Sequence, residues 1–178
     1  MSLCWARGQS DRGDHRQPER QERGKRGACI DPAGYDAGKK IKGKKRHILV
    51  DTQGLLMQAI VHAADVQDRD GGELLMRTLF GLYPFLLELY ADSGYQGEAF
   101  QRALKAVCGQ INLEIVRRSR LHGFIVLPKR WIVERTFAWI NRCRRLAKDW
   151  ECLNRNALAF LRWASIRVMV RKRCQISA

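Results

Sequence analysis

The chain has 178 residues, a hydrophobic fraction of 46%, and 33 Lys and Arg against 18 Asp and Glu, which gives a net charge of +15. That length and hydrophobic fraction suffice for one globular domain with a packed core. There is no run of about 18 apolar residues to span a bilayer, and the first residues lack the apolar stretch of a signal peptide. The charge balance predicts a cytoplasmic, nucleoid-associated protein that binds DNA and no membrane.

Residues 1–34 differ in composition from the rest of the chain. They are rich in Arg, Gln, Asp, Glu and Gly and contain almost no branched apolar residues after Trp5. No hydrophobic periodicity favours a helix or a strand. We therefore predict an unstructured polar tail over 1–34 and one folded domain over 35–178.

The folded part alternates between short apolar runs and longer amphipathic ones. Val-, Ile- and Leu-rich runs predict strands, and apolar residues at helical spacing predict helices. The predicted strands cover 47–51, 56–62, 86–91, 113–117 and 124–127, and the predicted helices cover 68–82, 96–108, 129–148 and 155–173. This order predicts an α/β domain, a mixed sheet with flanking helices.

A dense basic run precedes the first predicted strand. Six cations stand within eight residues: Lys39, Lys40, Lys42, Lys44, Lys45 and Arg46. A run of this kind is often a solvated loop. At this density, contact with the DNA backbone is the favoured interpretation, because phosphate contacts need only accessible positive charge.

Asp92 follows a buried-looking strand, the position where α/β proteins collect site residues. An Asp before Ser-Gly is also a common turn former. Glu134 is an acid on an otherwise cationic helix face that includes Arg145 and Lys148. It could pair with those cations for ~0.2–0.5 kcal/mol, or it could hold a metal ion against a phosphate.

Together, two such acids suggest metal-dependent phosphoryl transfer on DNA. Two divalent ions about 3.5–4 Å apart are held by a few carboxylates. Two acids are too few for both ions, and a third is best placed on a central strand. None of the other Asp residues stands convincingly within a predicted strand. Trp131, at the rim of the Glu134 helix, is a candidate for base stacking.

Three segments, GYDAGKKIKGKKRHILVDTQG, ADSGYQG and LPKRWIVERTFAWINRCRRLAKDWE, resemble the catalytic region of bacterial insertion-sequence transposases of the DDE class. The resemblance is closest to the family-five group, related to family four. It implies an RNase-H-like fold and cutting and joining of DNA with Mg²⁺ (or Mn²⁺). The implied partners are the element's terminal repeats, target DNA and a second copy in a homodimer.

By position, the resemblance makes Asp92 the second catalytic and metal-binding acid and Glu134 the third. Arg130 fits the signature Arg that precedes the Glu, while Leu127 stands where a Tyr is expected. Asn141 stands where the family has a phosphate-contacting Lys. Nearby cations could replace the phosphate contact of that Lys, and the candidates for DNA contact around this helix are Arg130, Arg142, Arg144, Arg145 and Lys148.

The first acid is the departure from the family. It should lie in a strand reading roughly IIDSQSVK, and no such text occurs, so we expect the first strand of the fold to be missing or disrupted. Plausible codons for residues 14–25, read one nucleotide later, encode that text. We therefore hypothesise a frameshifted partial copy of a transposase with impaired activity.

Three alternatives remain open at this point. One is an inactive remnant that still binds DNA. Another is an RNase-H-like nuclease, whose first acid would have to be Asp36 or Asp51. The third is a product that does not fold.

Overall fold

The structure is a computed structural model that describes residues 2–10, 31–79, 81–116, 131–147 and 150–176. Its strands are β1 Ser2–Ser10, β2 Gly34–Asp36, β3 Ile41–Val50, β4 Leu56–Ala63, β5 Leu86–Asp92 and β6 Asn112–Val116. Its helices are α1 Asp68–Arg77, α2 Glu98–Val107, α3 Trp131–Asn141 and α4 Asn154–Ile176, with short 3₁₀ turns at Ser93–Tyr95 and Arg144–Leu146.

The strands form one mixed sheet with β1 at its centre. β1 pairs antiparallel with β3 on one side and parallel with β5 on the other. β3 continues antiparallel to β4, β5 continues parallel to β6, and short β2 pairs with the start of β3. The predicted α/β class, a mixed sheet with flanking helices, is confirmed.

The N-terminal prediction is wrong for residues 2–10. Composition predicts an unstructured tail and a missing first strand, but Ser2–Ser10 forms the strand that joins the two halves of the sheet. Six consecutive register pairs, Trp5 with Val50 through Ser10 with Lys45, tie it to β3. Composition does not show this strand because its place in the sheet depends on pairing with β3 and β5, which are distant in sequence. Residues 11–30, including those of the frameshift hypothesis, lie outside the described residues.

Strand alternation divides the apolar residues between two cores. Leu49 and Leu89 face α1 and α2, where they pack with Leu75 and Phe100. Their strand neighbours point the other way, toward α3 and α4. This second core contains Ile48, Val50, Tyr90, Phe137 and Leu161. The sheet is therefore the middle layer of three.

Three element boundaries differ clearly from the prediction. α1 ends at Arg77 and not at residue 82. β3 begins at Ile41, so Lys42, Lys44, Lys45 and Arg46 of the basic run lie in a strand and not in a loop before it. The Glu134 helix ends at Asn141, and the 3₁₀ turn Arg144–Leu146 follows it, so the amphipathic pattern continues through a bend. The predicted strand 124–127 lies outside the described residues. No described helix is both long and apolar enough to cross a membrane.

Two glycines in α1 let the helix approach the sheet closely. A Cβ on Gly71 would overlap the rings of His47 and His62. A Cβ on Gly72 would lie 2.5 Å from Tyr95 Cε1 and 3.0 Å from Phe100 Cε2. The Asp-Gly-Gly segment of α1 thus allows close packing of the helix on the sheet, although glycine is a poor helix former.

Replacing Gly72 by Ala is expected to destabilise the fold by roughly 1–3 kcal/mol, the usual cost of overpacking. Helix propensity alone predicts the opposite sign, a gain of roughly 1 kcal/mol. Urea denaturation of the full chain measures the difference. Gly109→Ala is the control, since the atom nearest to an added Cβ there, the Lys105 carbonyl oxygen, lies at 3.4 Å. A stabilised Gly72→Ala variant would contradict the packing assignment.

Candidate active site

Asp92 is the last residue of β5 and begins the Asp-Ser-Gly-Tyr turn. Its Oδ1 accepts a hydrogen bond of 2.9 Å from the Gly94 N–H, which caps the 3₁₀ turn. A Cβ on Gly94 would lie 3.0 Å from that oxygen and 3.2 Å from Asp68 Oδ2. The turn-forming role of Asp92 is therefore present, and a second carboxylate, Asp68, lies beside it.

Glu134 lies in the first turn of α3 and is exposed. The buried face of this helix, through Val133 and Phe137, packs in the same core as Tyr90 of β5. Asp92 is two residues after Tyr90 and so shares its face of the sheet. Asp92 and Glu134 therefore lie on the same side of the sheet, as a shared site requires.

The strand beside Asp92 supplies no third acid. Ala6 of β1 pairs with Ala91 of β5, and the residue that follows Ala6 is Arg7, just as Asp92 follows Ala91. Ser2–Ser10 contains no Asp or Glu. Within the described residues, no group of three or more His, Cys, Asp or Glu could hold a metal ion. The carboxylates are the oxygen ligands that Mg²⁺ prefers, but Asp92 and Glu134 alone are an incomplete set of ligands.

The two substitutes considered for the first acid have other roles. Asp51 Oδ1 accepts the N–H groups of Gln53 and Leu55 in the β3–β4 turn, at 2.9 and 2.8 Å. Asp36 pairs with Lys45 at 3.5 Å at the opposite end of β3. Neither stands on β1 next to Asp92, so the geometry does not favour the nuclease alternative that depends on them.

Half of the basic run is buried, which corrects its prediction as a DNA-contacting segment. Lys44, Lys45 and Arg46 are only 3–4% exposed. Lys44 Nζ donates to the carbonyl oxygens of Glu151 and Cys152, at 2.7 and 3.1 Å. The buried Lys44 ammonium, which is hydrogen-bonded to these carbonyl oxygens, cannot reach a phosphate. Lys44, Lys45 and Arg46 lie in a strand, so their side chains point alternately to the two faces of the sheet.

Lys45 and Arg46 serve the fold in the same way on opposite faces. Lys45 Nζ lies 2.9 Å from Asp68 Oδ1 and donates to the Val66 carbonyl oxygen at 2.8 Å. The Arg46 guanidinium donates to the Leu146 carbonyl oxygen at 3.0 Å. These two side chains bind the start of α1 and the end of the Arg144–Leu146 turn to β3.

The other predicted DNA contacts remain at the surface where the structure describes them. Lys39, Lys40 and Lys42 are exposed around the β2–β3 turn, and Lys39 lies 3.9 Å from Asp36. Arg145 is exposed but pairs with Glu151. Arg142 is exposed beside α4. Arg130 and Lys148 lie outside the described residues.

The tryptophans of α3 form a ladder with cations. The Arg135 guanidinium lies 4.2 Å from the centroid of Trp131 and 4.7 Å from that of Trp139. Lys172 Nζ of α4 lies 4.7 Å from the Trp139 ring. Trp131 is 42% exposed, as expected for a rim residue, and Trp139 is half-buried between the cations.

A buried His47–Tyr95 hydrogen bond supports the turn that follows Asp92. His47 Nδ1 and the Tyr95 hydroxyl are 2.7 Å apart, and both side chains are fully buried. The His62 ring stacks on His47 with centroids 4.7 Å apart. His47 lies in the core and His62 is partly buried beside it. The link from His47 to the Asp92 turn could not be predicted from the sequence. No spacing pattern signals a bond between β3 and the turn after β5.

Burial lowers the pKa of His47 well below its usual value, helped by His62, Lys45 and Lys39. His47 is therefore protonated near pH 6.5 in the unfolded chain but stays neutral at that pH in the folded chain. Stability is full above that pH and falls as the pH drops below it, by up to about 1.4 kcal/mol per pH unit from His47. Urea denaturation at pH 7 and pH 5 measures the loss. His47→Gln should reduce it and leave the smaller share of His62, whose pKa burial also lowers. Equal stability of the wild-type chain at both pH values would contradict this assignment.

Comparison with known proteins identifies the family of the chain. The sequence model of a family described as Transposase DDE domain matches residues 9–169. A Burkholderia cepacia protein, named as a transposase for insertion sequence element IS402, is 36% identical over 113 residues. That alignment covers 58% of this chain and 52% of the relative, so the chain spans about half the length of the relative it matches. The chain belongs to the family of transposase DDE domains.

Proposed function

We propose that the chain is the catalytic domain of a DNA transposase that cuts and joins DNA at the ends of an insertion sequence. The observation that carries the proposal is the placement of Asp92 and Glu134. Asp92 ends a strand beside the central strand of the sheet, and Glu134 stands on the helix packed over the same face. Family membership supports the same chemistry. The narrower assignment to the family-five group stays a prediction.

The substrates in this proposal are the terminal repeats of the element and target DNA, with a homodimer as the working assembly. DDE transposases in general depend on divalent metal ions. Asp92 and Glu134 are the residues we assign to Mg²⁺ (or Mn²⁺), since carboxylate oxygens are its preferred ligands. When bound, such an ion would stabilise the charge that develops on the transferred phosphate.

The missing acid on β1 sets the level of activity that we expect. Ser2–Ser10 has no carboxylate to share a metal ion with Asp92. Removing one preorganised charge-stabilising group from an active site typically costs roughly 10²–10³ in rate. We therefore propose that this chain cleaves DNA slowly and that its sheet and helices retain the arrangement of an active domain.

Nicking of a supercoiled plasmid that carries element ends tests the proposal. In Mg²⁺ or Mn²⁺, the wild-type chain should give slow nicking that EDTA stops. Asp92→Asn and Glu134→Gln should each reduce it to the background without protein. The matched control is Glu98→Gln, an exposed acid at the start of α2 on the other face of the sheet. Nicking that survives both active-site substitutions would refute the assignment.

A second candidate is an inactive remnant that binds DNA without cutting it. The absence of an acid from β1 favours this alternative. It predicts metal-independent DNA binding and no nicking by any variant that retains Arg7. The plasmid assay separates the two candidates, because only the slow enzyme responds to Asp92→Asn.

A further inference from the structure

A cavity of about 420 Å³ lies between α3 and α4, away from the acids. Four cations line it: Arg142 from the end of α3, and Arg167, Arg171 and Lys172 from α4. Trp139 forms part of its wall. We call this feature the α3–α4 groove. Its volume is within the range of ordinary ligand sites, which are about 300–1,000 Å³.

Within the part of the chain that the structure describes, the four cations of the groove have no carboxylate partner within salt-bridge distance. Among the described residues, no Asp or Glu lines the groove. Burial and the nearby Arg135 lower the pKa of Lys172, although Asp51 partly opposes them. Like charges held together cost free energy, and a bound polyanion would remove that cost.

The groove continues from the Glu134 end of the helix. Trp131 lies one turn before Glu134, and the Trp131–Arg135–Trp139–Lys172 ladder leads from it into the groove. Arg142 comes eight residues after Glu134, about 12 Å along the helix at ~1.5 Å per residue. At ~3.4 Å per nucleotide along one strand, this corresponds to roughly three or four nucleotides.

We infer that the α3–α4 groove binds the phosphate backbone of the DNA strand that passes Glu134, roughly three or four nucleotides from the position of cleavage. The inference rests on the proposed function for the position of the DNA, and it assigns a separate binding surface to α4. Arg167, Arg171 and Arg142 contact phosphates there. Trp139 contributes an apolar part of the wall.

Fluorescence anisotropy with a labelled DNA duplex, in EDTA and over roughly 50–200 mM KCl, tests this inference. Arg167→Gln/Arg171→Gln should weaken binding at least about tenfold at the higher salt. It should also reduce the slope of log K against log salt by roughly two, because each phosphate that is no longer neutralised lowers the slope by about 0.9. The matched control, Arg102→Gln/Lys105→Gln, removes the same charge from exposed positions of α2, on the other face of the sheet. It should leave the slope within about half a unit of wild type.

Each outcome bears on the groove separately from the chemistry. Equal weakening of binding in the two double variants, or an unchanged slope in the groove variant, would overturn the inference. So would tripolyphosphate that displaces the duplex at equal phosphate concentration, because the groove would then be a site for free anions. The assay contains no metal. If Asp92→Asn does not change nicking, the proposed function is therefore wrong, but the inference about DNA binding in the groove still stands or falls on the anisotropy result alone.

Discussion

Replacing Arg7 by Asp is expected to raise Mg²⁺-dependent nicking by at least about a hundredfold, the scale of one preorganised charged group in an active site. β1 is the central strand, and Ala6 of β1 pairs with Ala91 of β5. Arg7 is the next residue after Ala6, and Asp92 is the next residue after Ala91. Neighbouring strands lie about 4.8 Å apart. The backbone at position 7 is therefore the neighbour of Asp92 across the two strands, so this is the position at which we propose to restore the missing acid.

Two variants show whether the carboxylate itself is responsible. Arg7→Asn removes the same cation but adds no charge, so it should stay near the wild-type rate. Arg7→Asp/Asp92→Asn should return to that low rate, because the new acid at position 7 then has no carboxylate at position 92 to share the ion with. If Arg7→Asn activates as strongly as Arg7→Asp, removal of a cation explains the gain, and β1 is not the missing part of the site.

Replacing Lys45 by Met is expected to lower the free energy of unfolding by roughly 3–5 kcal/mol, the usual cost of breaking a buried ion pair. Met keeps most of the length of the side chain and removes its charge. Lys45 is 4% exposed and lies 2.9 Å from Asp68 and 3.5 Å from Asp36. The substitution leaves both carboxylates without this cation and the Val66 carbonyl oxygen without its donor.

Lys42→Met is the matched comparison within the same strand, because Lys42 is exposed. It should change stability by less than about 0.5 kcal/mol. Urea denaturation of the two variants, followed by circular dichroism, gives both numbers. Similar stability of the two variants would show that the buried cations do not hold the fold together, and the basic run would again be a candidate for DNA contact along its whole length.

The sequence predicts the residues whose positions depend on local pattern. Asp92 at a strand end and Glu134 on an amphipathic helix follow from hydrophobic periodicity. β4, β5, α2 and α4 lie close to their predicted bounds for the same reason, and α1 begins where predicted but ends five residues earlier. The family resemblance then joins the two acids, and family membership is confirmed. Their metal-binding roles stay predictions.

The features that the sequence does not reveal depend on contacts between distant segments. Composition cannot show that Ser2–Ser10 pairs with two strands, or that the Lys44 ammonium reaches backbone carbonyls more than 100 residues away. A cationic run is predicted to be accessible when its hydrogen-bond partners are unknown. Here Lys44 and Arg46 donate to backbone carbonyl oxygens within residues 146–152. Asp68, which lies beside Asp92, is recognisable from the sequence only as a helix-start residue.

The most direct test of the incomplete-site account is Mn²⁺ binding, followed by electron paramagnetic resonance of the free ion. Wild-type protein should bind Mn²⁺ weakly, Asp92→Asn and Glu134→Gln should each abolish that binding, and Arg7→Asp should tighten it at least about tenfold. Binding that is unaffected by Asp92→Asn and Glu134→Gln, or unchanged by Arg7→Asp, would contradict the claim that these positions share one metal site.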